Sequence, residues 1–252
     1  MPFAADPAAA RTALEGIAGV DAVVQPAAGR EKRLLIADMD STMITVECID
    51  ELADYAGLKP QVAAVTEAAM RGELDFAGAL DARVALLAGL DAGAIDRCLA
   101  ERVRITPGAE VLVRTMRARA ARCVLVSGGF TRFAEPVGQA IGFDRVIANV
   151  LEIAGDDGRA VLTGRVARPI VGAATKLDTL VTERDALGLL PRAVLAVGDG
   201  ANDLPMVQAA GLGVAYHAKP IVAAAAMARI EHGDLSALLH AQGIPRAEWV
   251  TA

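Results

Sequence analysis

Residues 34–42 read Leu-Leu-Ile-Ala-Asp-Met-Asp-Ser-Thr, four apolar residues followed by two aspartates and two hydroxyls. A short, uninterrupted apolar run is typical of a strand buried on both faces of a parallel sheet, where ligands bind beyond the carboxyl ends of the strands. Asp38 and Asp40 therefore lie where chemistry is expected. At an extended strand end the two carboxylates share a face and repel each other, so one must be neutralised by a cation or hold a proton.

Two interpretations of this stretch are open. A nucleophilic carboxylate beside a protonated acid suits phosphoryl or acyl transfer, with a metal ion reducing the repulsion. Asp, Ser and Thr are also preferred at helix N-caps, so the stretch alone is equally compatible with a capping role. The rest of the chain has to decide between them.

The composition excludes several classes of protein. The net charge of −6 argues against a nucleic-acid partner, which would require a basic face. No apolar run approaches the roughly 20 residues needed to cross a bilayer, and the first ten residues lack the basic start of a signal peptide. We expect a cytoplasmic protein without a membrane partner, in which Cys48, Cys98 and Cys123 are reduced and buried. The oligomeric state, including a homodimer, is left open.

Strands alternate with helices along most of the chain, which predicts an α/β fold with a doubly wound parallel sheet. Between the first strand and the alternating part, the pattern is helical without a convincing strand, which indicates a small helical cap inserted over the site. A turn signal at 155–158 predicts an antiparallel hairpin. The predicted parts are an N-terminal extension without assigned function at 1–30, a catalytic core at 31–48 and 105–245, the cap at 49–104 and a C-terminal tail at 246–252.

Three predicted strands end in reactive groups. These groups are Asp38 and Asp40, then Ser127 with Gly128 and Gly129, then Asp199 and Asp203. Any one set is compatible with turn chemistry. Because parallel strands deliver their carboxyl ends to one edge of a sheet, all three sets are expected to meet in one cleft.

The residues of this cleft suit a metal ion and a phosphate group. Mg²⁺ favours carboxylate oxygens, water and substrate phosphate, and Asp38 and Asp199 are the natural pair to hold it. Ser127 and the amides of the two following glycines are placed to donate to phosphate oxygens at a helix N-terminus. Lys176 could supply further positive charge, although by itself it would be interpreted as a solvated surface lysine.

These motifs resemble those of the haloacid dehalogenase superfamily of phosphatases. The segment 38–42 resembles the first motif, Asp-x-Asp-x-Thr, 124–127 the second, Lys176 the third and 198–203 the fourth. The resemblance extends to the phosphoserine phosphatase family at 40–42, 47–51, 67–76, 127–130 and 215–220, and covers roughly 34–239. Many bacterial members carry a regulatory amino-acid-binding domain that the first thirty or so residues cannot form, so we do not expect feedback sensing through such a domain.

The resemblance implies a role for each matching residue. Asp38 would attack phosphorus to give an aspartyl-phosphate, and Asp40 would protonate the departing oxygen and then activate water. The cofactor Mg²⁺ would be held by Asp38, the backbone carbonyl of Asp40, and Asp199. The phosphate would be bound by Ser127, Gly128, Lys176 and Asn202, with Thr42 and Asp203 in supporting positions.

Substrate choice is expected to lie in the cap. A helical wheel places Phe76, Leu80, Arg83, Leu87 and Leu90 on one stripe, and an arginine on an apolar stripe needs a partner. Arg83 would grip a substrate carboxylate, for which arginine is geometrically suited, or else snorkel or pair with a cap carboxylate.

Three further positions match substrate-binding residues of the family. Glu47 would face the substrate ammonium, and without the resemblance it would be an ordinary first-turn helix glutamate. Met70 and Phe76 match apolar residues of the pocket, although core packing is their default interpretation.

The resemblance thus implies a Mg²⁺-dependent enzyme that hydrolyses O-phospho-L-serine to L-serine and phosphate, the last step of serine biosynthesis. A close alternative passes the phosphoryl group to another alcohol, such as homoserine. A phosphoacceptor signalling domain would also use an acidic cluster, a hydroxyl and a lysine, but it would be much shorter. Asp40 and the helical insertion argue against that alternative.

Overall fold

The computed structural model describes residues 6–71, 73–155 and 160–251, without the side chains of Ala8 and Met70. The helices are α1 (Pro7–Glu15), α2 (Cys48–Tyr55), α3 (Lys59–Met70), α4 (Phe76–Ala85), α5 (Gly93–Arg102), α6 (Ala109–Ala118), α7 (Thr131–Ile141), α8 (Ala173–Ala186), α9 (Leu204–Ala209), α10 (Pro220–Ala225) and α11 (Ala237–Gln242). The strands are β1 (Leu34–Ala37), β2 (Arg122–Phe130), β3 (Arg145–Asn149), β4 (Leu151–Ala154), β5 (Val161–Val166), β6 (Val194–Gly198), β7 (Leu212–Tyr216) and β8 (Ala228–Ile230).

The described strands include a six-stranded parallel sheet in the order β3-β2-β1-β6-β7-β8. Strand β1 lies between β2 and β6, with Ala37 opposite Leu125 on one side and Val197 on the other. The residues that follow these three strands therefore leave the same edge of the sheet side by side. This arrangement confirms the predicted parallel sheet.

The apolar run of β1 serves two cores because successive side chains point to opposite faces of a strand. Leu35 and Ala37 belong to a buried cluster that also contains side chains of α6, α7 and α11. Leu34 and Ile36 belong to a second cluster, with side chains of α8, α9 and α10. All four residues are fully buried, and helices cover both faces of the sheet, which confirms the doubly wound fold.

Helices α2 to α5 lie between β1 and β2, as the sequence predicted. The segment leaves and returns to the sheet at one point, because Ile44 and Ile105 form an antiparallel bridge and the Thr45 amide donates to the Arg104 carbonyl at 3.0 Å. Strands β4 and β5 form the predicted hairpin beside α4, although its turn at 156–159 lies outside the described residues. Backbone hydrogen bonds join Gly89 and Leu90 to Leu162, so the hairpin is attached to the chain between α4 and α5.

The ends of two elements differ from the prediction. The apolar run from Cys123 to Val126 predicts a strand that stops before Ser127, but β2 continues to Phe130, which pairs with Asn149 after an irregular shift of register. The pattern from Phe76 to Leu87, followed by Gly89, predicts one helix, but α4 ends at Ala85 because the chain turns there toward its bonds with the hairpin. The local sequence pattern does not predict these two boundaries, because both depend on contacts with neighbouring elements.

The packing of α9 against β7 gives a test of this fold. A Cβ atom added at buried Gly213 in β7 would lie 1.9 Å from the Val207 carbonyl oxygen, so Gly213→Ala must push α9 away from the sheet. We expect the free energy of unfolding to fall by about 1–3 kcal/mol, as in other overpacked cores. Urea unfolding of both proteins measures the difference. Gly16→Ala, whose added Cβ would meet ordinary 3.5 Å contacts, is the control, and equal stabilities for the two variants would contradict this packing.

Candidate active site

The two aspartates after β1 have separate surroundings. Asp38 is extended and buried, its amide donates to the Val197 carbonyl at 3.0 Å, and its side chain makes no capping hydrogen bond to the turn Met39–Met43 that follows. The Oδ1 atom of Asp40 accepts from the Cys48 amide, at the first residue of α2, at 2.8 Å. The capping interpretation is therefore wrong for Asp38, while Asp40 does accept one orphan helix amide.

Lys176 is the buried cation of the site. Its Nζ atom lies 2.6 Å from Asp38 Oδ1 and 2.5 Å from Asp203 Oδ1, and its side chain is fully shielded from solvent. Helix α8 supplies the lysine, while β1 and the turn after β6 supply the two carboxylates. The interpretation of Lys176 as a surface lysine is thus wrong.

The turn after β6 is shaped around Asp203. Its Oδ2 atom accepts from the amides of Asp199 and Gly200 at 3.1 and 3.0 Å. A Cβ atom at Gly198 would lie 2.4 Å from Asp203 Cγ, so only glycine fits at the end of this strand. Thr42 donates to Asp199 Oδ1 at 3.3 Å, which joins this turn to the residues after β1.

A cluster of carboxylates could hold a metal ion. One oxygen each of Asp38, Asp199 and Asp203 lies within 4.8 Å of the others. Asp38 Oδ1 is buried and contacts the Lys176 ammonium, and among the described residues no other donor reaches this atom. Three buried carboxylates that together offer hard oxygen ligands fit a hard divalent cation. Asp203 already accepts from Lys176 and two amides, which favours a supporting position for it.

Asp40 faces the start of the segment that follows Val126. Ser127 Oγ donates to Asp40 Oδ2 at 3.0 Å and accepts from the Gly129 amide at 2.8 Å. A Cβ at Gly129 would lie 2.6 Å from Asp40 Oδ2, so a side chain there would displace the carboxylate. Burial, and next the charge of Glu47, raise the pKa of Asp40 to about 6. Asp40 can therefore hold a proton near neutral pH.

Asn149 is a site residue that the sequence interpretation missed. It is buried at the end of β3, donates to the carbonyls of Gly128 and Val171 at 2.9 and 3.2 Å, and accepts from the Val171 amide at 2.7 Å. These bonds fix the backbone of the Ser127–Gly129 segment. Its position at the carboxyl end of a parallel strand was the available signal, because the same rule located the other sets.

The remaining charges of the cluster are strongly perturbed. Burial and the charge of Asp203 raise the pKa of Asp38, against the effect of Lys176. Burial, Asp203 and Glu47 raise the pKa of Asp199 to about 7. Burial alone would lower the pKa of Lys176, but Asp38 and Asp203 outweigh it and raise the pKa, so the lysine stays protonated. Perturbed pKa values of this kind are concentrated at functional sites.

A cavity of about 580 Å³ lies between the sheet edge and helices α2 to α4. Asp38, Asp40 and Asp199 line it from the sheet, and Arg83, Leu80 and Phe76 line it from the helices, among other residues. The predicted stripe is only partly right, because Leu87 is buried in the core and neither it nor Leu90 reaches the cavity.

The side chains of the cavity wall that the family resemblance singled out are placed as follows. Arg83 is half-buried, its Nε donates to the Ala79 carbonyl at 3.2 Å, and no carboxylate of the described residues pairs with it. Phe76 is partly exposed and would touch a Cβ at Gly128. Glu47 and Asn202 also line the cavity, whereas the side chain of Met70 lies outside the described part of the chain.

Lys219 is a further residue of the site. It lies in the segment 215–220 that resembles the family, but the resemblance gave it no role. It lines the cavity, and its amide donates to the Asp199 carbonyl at 3.1 Å. Its ammonium opposes the rise in the pKa of Asp199. It therefore adds an exposed positive charge beside the carboxylate cluster.

Comparison with known proteins places the chain in a family. The model of the haloacid dehalogenase-like hydrolase family matches residues 35–208. The chain belongs to the haloacid dehalogenase-like hydrolase family. The match spans the carboxylates, Ser127 and Lys176, so the resemblance seen in the sequence motifs is confirmed at the family level.

Relatives of this haloacid dehalogenase-like hydrolase include phosphoserine phosphatases. The chain is 48% identical to phosphoserine phosphatase SerB2 of Mycobacterium tuberculosis over 221 residues, which cover 88% of this chain and 53% of that protein. It is 47% identical to phosphoserine phosphatase of a Polaromonas species over 212 residues, 82% of this chain and 88% of that protein. The chain thus spans about half the length of the first relative and most of the second.

A solved structure described as a substrate-bound phosphoserine phosphatase complex is also similar. It superposes with a TM-score of 0.74 at 35% identity and covers 83% of this chain and 98% of that one.

Within the described residues of this hydrolase, no helix is both long enough and apolar enough to cross a membrane.

The raised pKa values of this hydrolase predict how its stability depends on pH. Asp40 and Asp199 titrate near 6 and 7 in the folded protein, against 3.8 for the unperturbed side chain, so the folded state binds protons that the unfolded state has released. The free energy of unfolding of the metal-free protein should therefore fall as the pH rises between about 4 and 7. Thermal melts in chelator measure this dependence.

Asp199→Asn removes one of the buried carboxyl groups with a raised pKa and should flatten the dependence of the melting temperature on pH. Asp96→Asn, at an exposed carboxylate paired with Arg132, is the control and should keep the wild-type slope. Parallel profiles for the wild type and Asp199→Asn would contradict the assigned burial of this carboxylate.

Proposed function

We propose that the chain is a Mg²⁺-dependent phosphatase that hydrolyses O-phospho-L-serine to L-serine and phosphate. The observation that carries the proposal is that one cavity is lined by two kinds of group. Its sheet side holds the carboxylates suited to phosphoryl transfer, and its wall also holds the opposite charges of Arg83 and Glu47. The substrate carries a phosphate, a carboxylate and an ammonium, and each has a complementary group there. The names of the relatives and of the substrate-bound structure support this choice of substrate.

The proposed first step transfers the phosphoryl group to the protein. An Asp38 carboxylate oxygen attacks phosphorus, the bond between phosphorus and the serine oxygen breaks, and Asp40 gives its proton to that oxygen. A pKa of about 6 suits Asp40 to this role, because proton transfer is most effective when the pKa lies near the working pH. The products of the step are serine and an aspartyl-phosphate at Asp38.

The proposed second step returns Asp38 to its starting state. Asp40, now ionised, takes a proton from a water molecule that attacks phosphorus, and the bond between phosphorus and the Asp38 oxygen breaks. Ser127 holds Asp40 in place through its hydrogen bond at 3.0 Å. Lys176 stabilises the Asp38 carboxylate as it is released.

Mg²⁺ would be held by Asp38, the backbone carbonyl of Asp40, and Asp199, with Asp203 in support. When bound, it would reduce the repulsion between the phosphate and the carboxylates. The phosphate would be bound by Ser127, Gly128, Lys176 and Asn202. Phe76, Leu80 and Met70 would form the apolar side of the pocket.

The proposal extends to the organisation of the chain. The core would consist of 31–48 and 105–245, and the cap at 49–104 would select the substrate. Free, buried Cys48, Cys98 and Cys123 are in keeping with a reducing cytoplasm, where the reaction would end serine biosynthesis.

A panel of phosphate esters tests the proposed activity. Phosphoserine, phosphothreonine, phosphohomoserine, phosphoethanolamine and p-nitrophenyl phosphate are compared by phosphate release, with Mg²⁺ and with chelator. We expect turnover that requires Mg²⁺ and a strong preference for phosphoserine over phosphohomoserine, phosphoethanolamine and p-nitrophenyl phosphate, because these three lack a charged group or alter the spacing of the groups. Phosphothreonine keeps all three groups and adds one methyl, so it measures the room in the pocket. Flat, weak activity across the panel would contradict the choice of substrate, and equal activity in chelator would contradict the metal.

Arg83→Ala tests the carboxylate grip. Loss of one charged hydrogen bond, about 1.5–3 kcal/mol, should lower kcat/KM for phosphoserine by about tenfold to a hundredfold. Turnover of p-nitrophenyl phosphate, which has no carboxylate, should change little. The control is Arg97→Ala on α5, an exposed arginine paired with Asp91 outside the cavity. Equal losses on both esters would show that Arg83 serves the fold of the cap rather than the substrate.

A further inference from the structure

Ser41 directly follows Asp40 and has an unusual backbone. Its φ angle is +53°, in the left-handed region that residues other than glycine rarely adopt. Its amide donates to the Val46 carbonyl at 3.2 Å, and its hydroxyl donates to Glu47 Oε1 at 2.7 Å. Glycine would adopt this backbone without strain, so the contact of the serine hydroxyl is the feature that calls for explanation.

The next residue points its hydroxyl to a different carboxylate. Thr42 is buried and donates to Asp199 Oδ1, on the metal side of the site, at 3.3 Å. The left-handed turn at Ser41 thus divides two neighbouring hydroxyls. One reaches the carboxylate cluster and the other reaches the acidic side chain of the cavity wall.

Glu47 needs such a contact to have a fixed position. It stands before the first residue of α2, is exposed, and its side chain makes no capping hydrogen bond to that helix. Within the described residues, the Ser41 hydroxyl is the only hydrogen-bond donor to that side chain. An exposed glutamate without a partner samples several rotamers, and each must be given up when it binds a ligand.

We infer that Ser41 is a positioning residue that holds the Glu47 carboxylate toward the ammonium of the substrate. The inference rests on the proposed function, since it assigns Glu47 the substrate ammonium. Ser41 acts through Glu47, so its effect must be confined to substrates that carry an ammonium group. Glu47 accepts from Ser41 through Oε1, so its Oε2 atom can accept from the substrate ammonium.

The experiment compares two esters that differ at one group. Phosphoserine carries an ammonium where 3-phosphoglycerate carries a hydroxyl, and both are assayed with Mg²⁺. For Ser41→Ala we expect kcat/KM for phosphoserine to fall about tenfold, mainly through KM, while that for 3-phosphoglycerate stays within about twofold. Thr45→Ala, which removes an exposed hydroxyl from the same segment, is the control and should match the wild type on both esters.

Two further variants separate the hydroxyl from the backbone. Ser41→Gly relieves the positive φ and removes the hydroxyl, so it should lose phosphoserine turnover as Ser41→Ala does while melting no lower than the wild type. In a Glu47→Gln background, Ser41→Ala should cause no further loss, because the group through which it acts has been changed.

The outcomes distinguish this inference from the proposed function. A wild-type protein that does not prefer phosphoserine to 3-phosphoglycerate would overturn both. A wild-type preference that Ser41→Ala and Ser41→Gly retain would overturn only the role of Ser41. Equal losses on the two esters, or additive losses with Glu47→Gln, would also overturn it, since Ser41 would then act on the loop as a whole.

Discussion

The contact on which the site depends is the ion pair of buried Lys176 with Asp38 and Asp203. A fully buried ammonium is stable only when it is paired, and removing a single partner of such a pair typically destabilises a protein by about 3–5 kcal/mol. Here the three charges come from β1, α8 and the turn after β6, elements far apart in the chain. Their pairing therefore fixes how α8 packs on the sheet edge, and at the same time it positions Asp38, the proposed nucleophile.

One lysine does not neutralise this cluster. Asp38, Asp199 and Asp203 crowd their oxygens within 4.8 Å, and the pKa of Asp199 rises to about 7 as a consequence of burial and of Asp203. The excess negative charge would repel a phosphate ester unless further positive charge enters with it. A divalent cation would supply that charge with the oxygen ligands it prefers, so the crowding of these carboxylates is also the physical reason for the proposed metal. The Lys219 ammonium partly offsets the same negative charge from the cavity side, because it lowers the pKa of Asp199.

The sequence predicted the parts of the site that follow from strand ends. Asp38, Ser127 and Asp199 were located because each follows an apolar strand, and parallel strands deliver such residues to one edge. Burial of Lys176 was not predictable from the residues alone, since a lysine in a helix is indistinguishable from a surface lysine until its partners are placed. Asn149 was missed because the groups that it binds, the carbonyls of Gly128 and Val171, are distant in sequence. The extent of β2 and the end of α4 depend on Asn149 and on the hairpin, which are contacts distant in sequence.

The turn after β1 explains how so short a segment serves both halves of the cavity. In a regular strand or helix, neighbouring side chains are separated by a fixed angle, and three consecutive polar residues cannot all reach chosen targets. The turn Met39–Met43, with an extended Asp40 and a left-handed Ser41, breaks this regularity. Asp40 reaches Ser127 and α2, Ser41 reaches Glu47, and Thr42 reaches Asp199. The same turn holds Asp40, the proposed acid, and fixes Glu47, which is proposed to bind the substrate ammonium. A change in the backbone of this turn should therefore affect chemistry and selectivity together, whereas loss of one hydroxyl should affect only one of them.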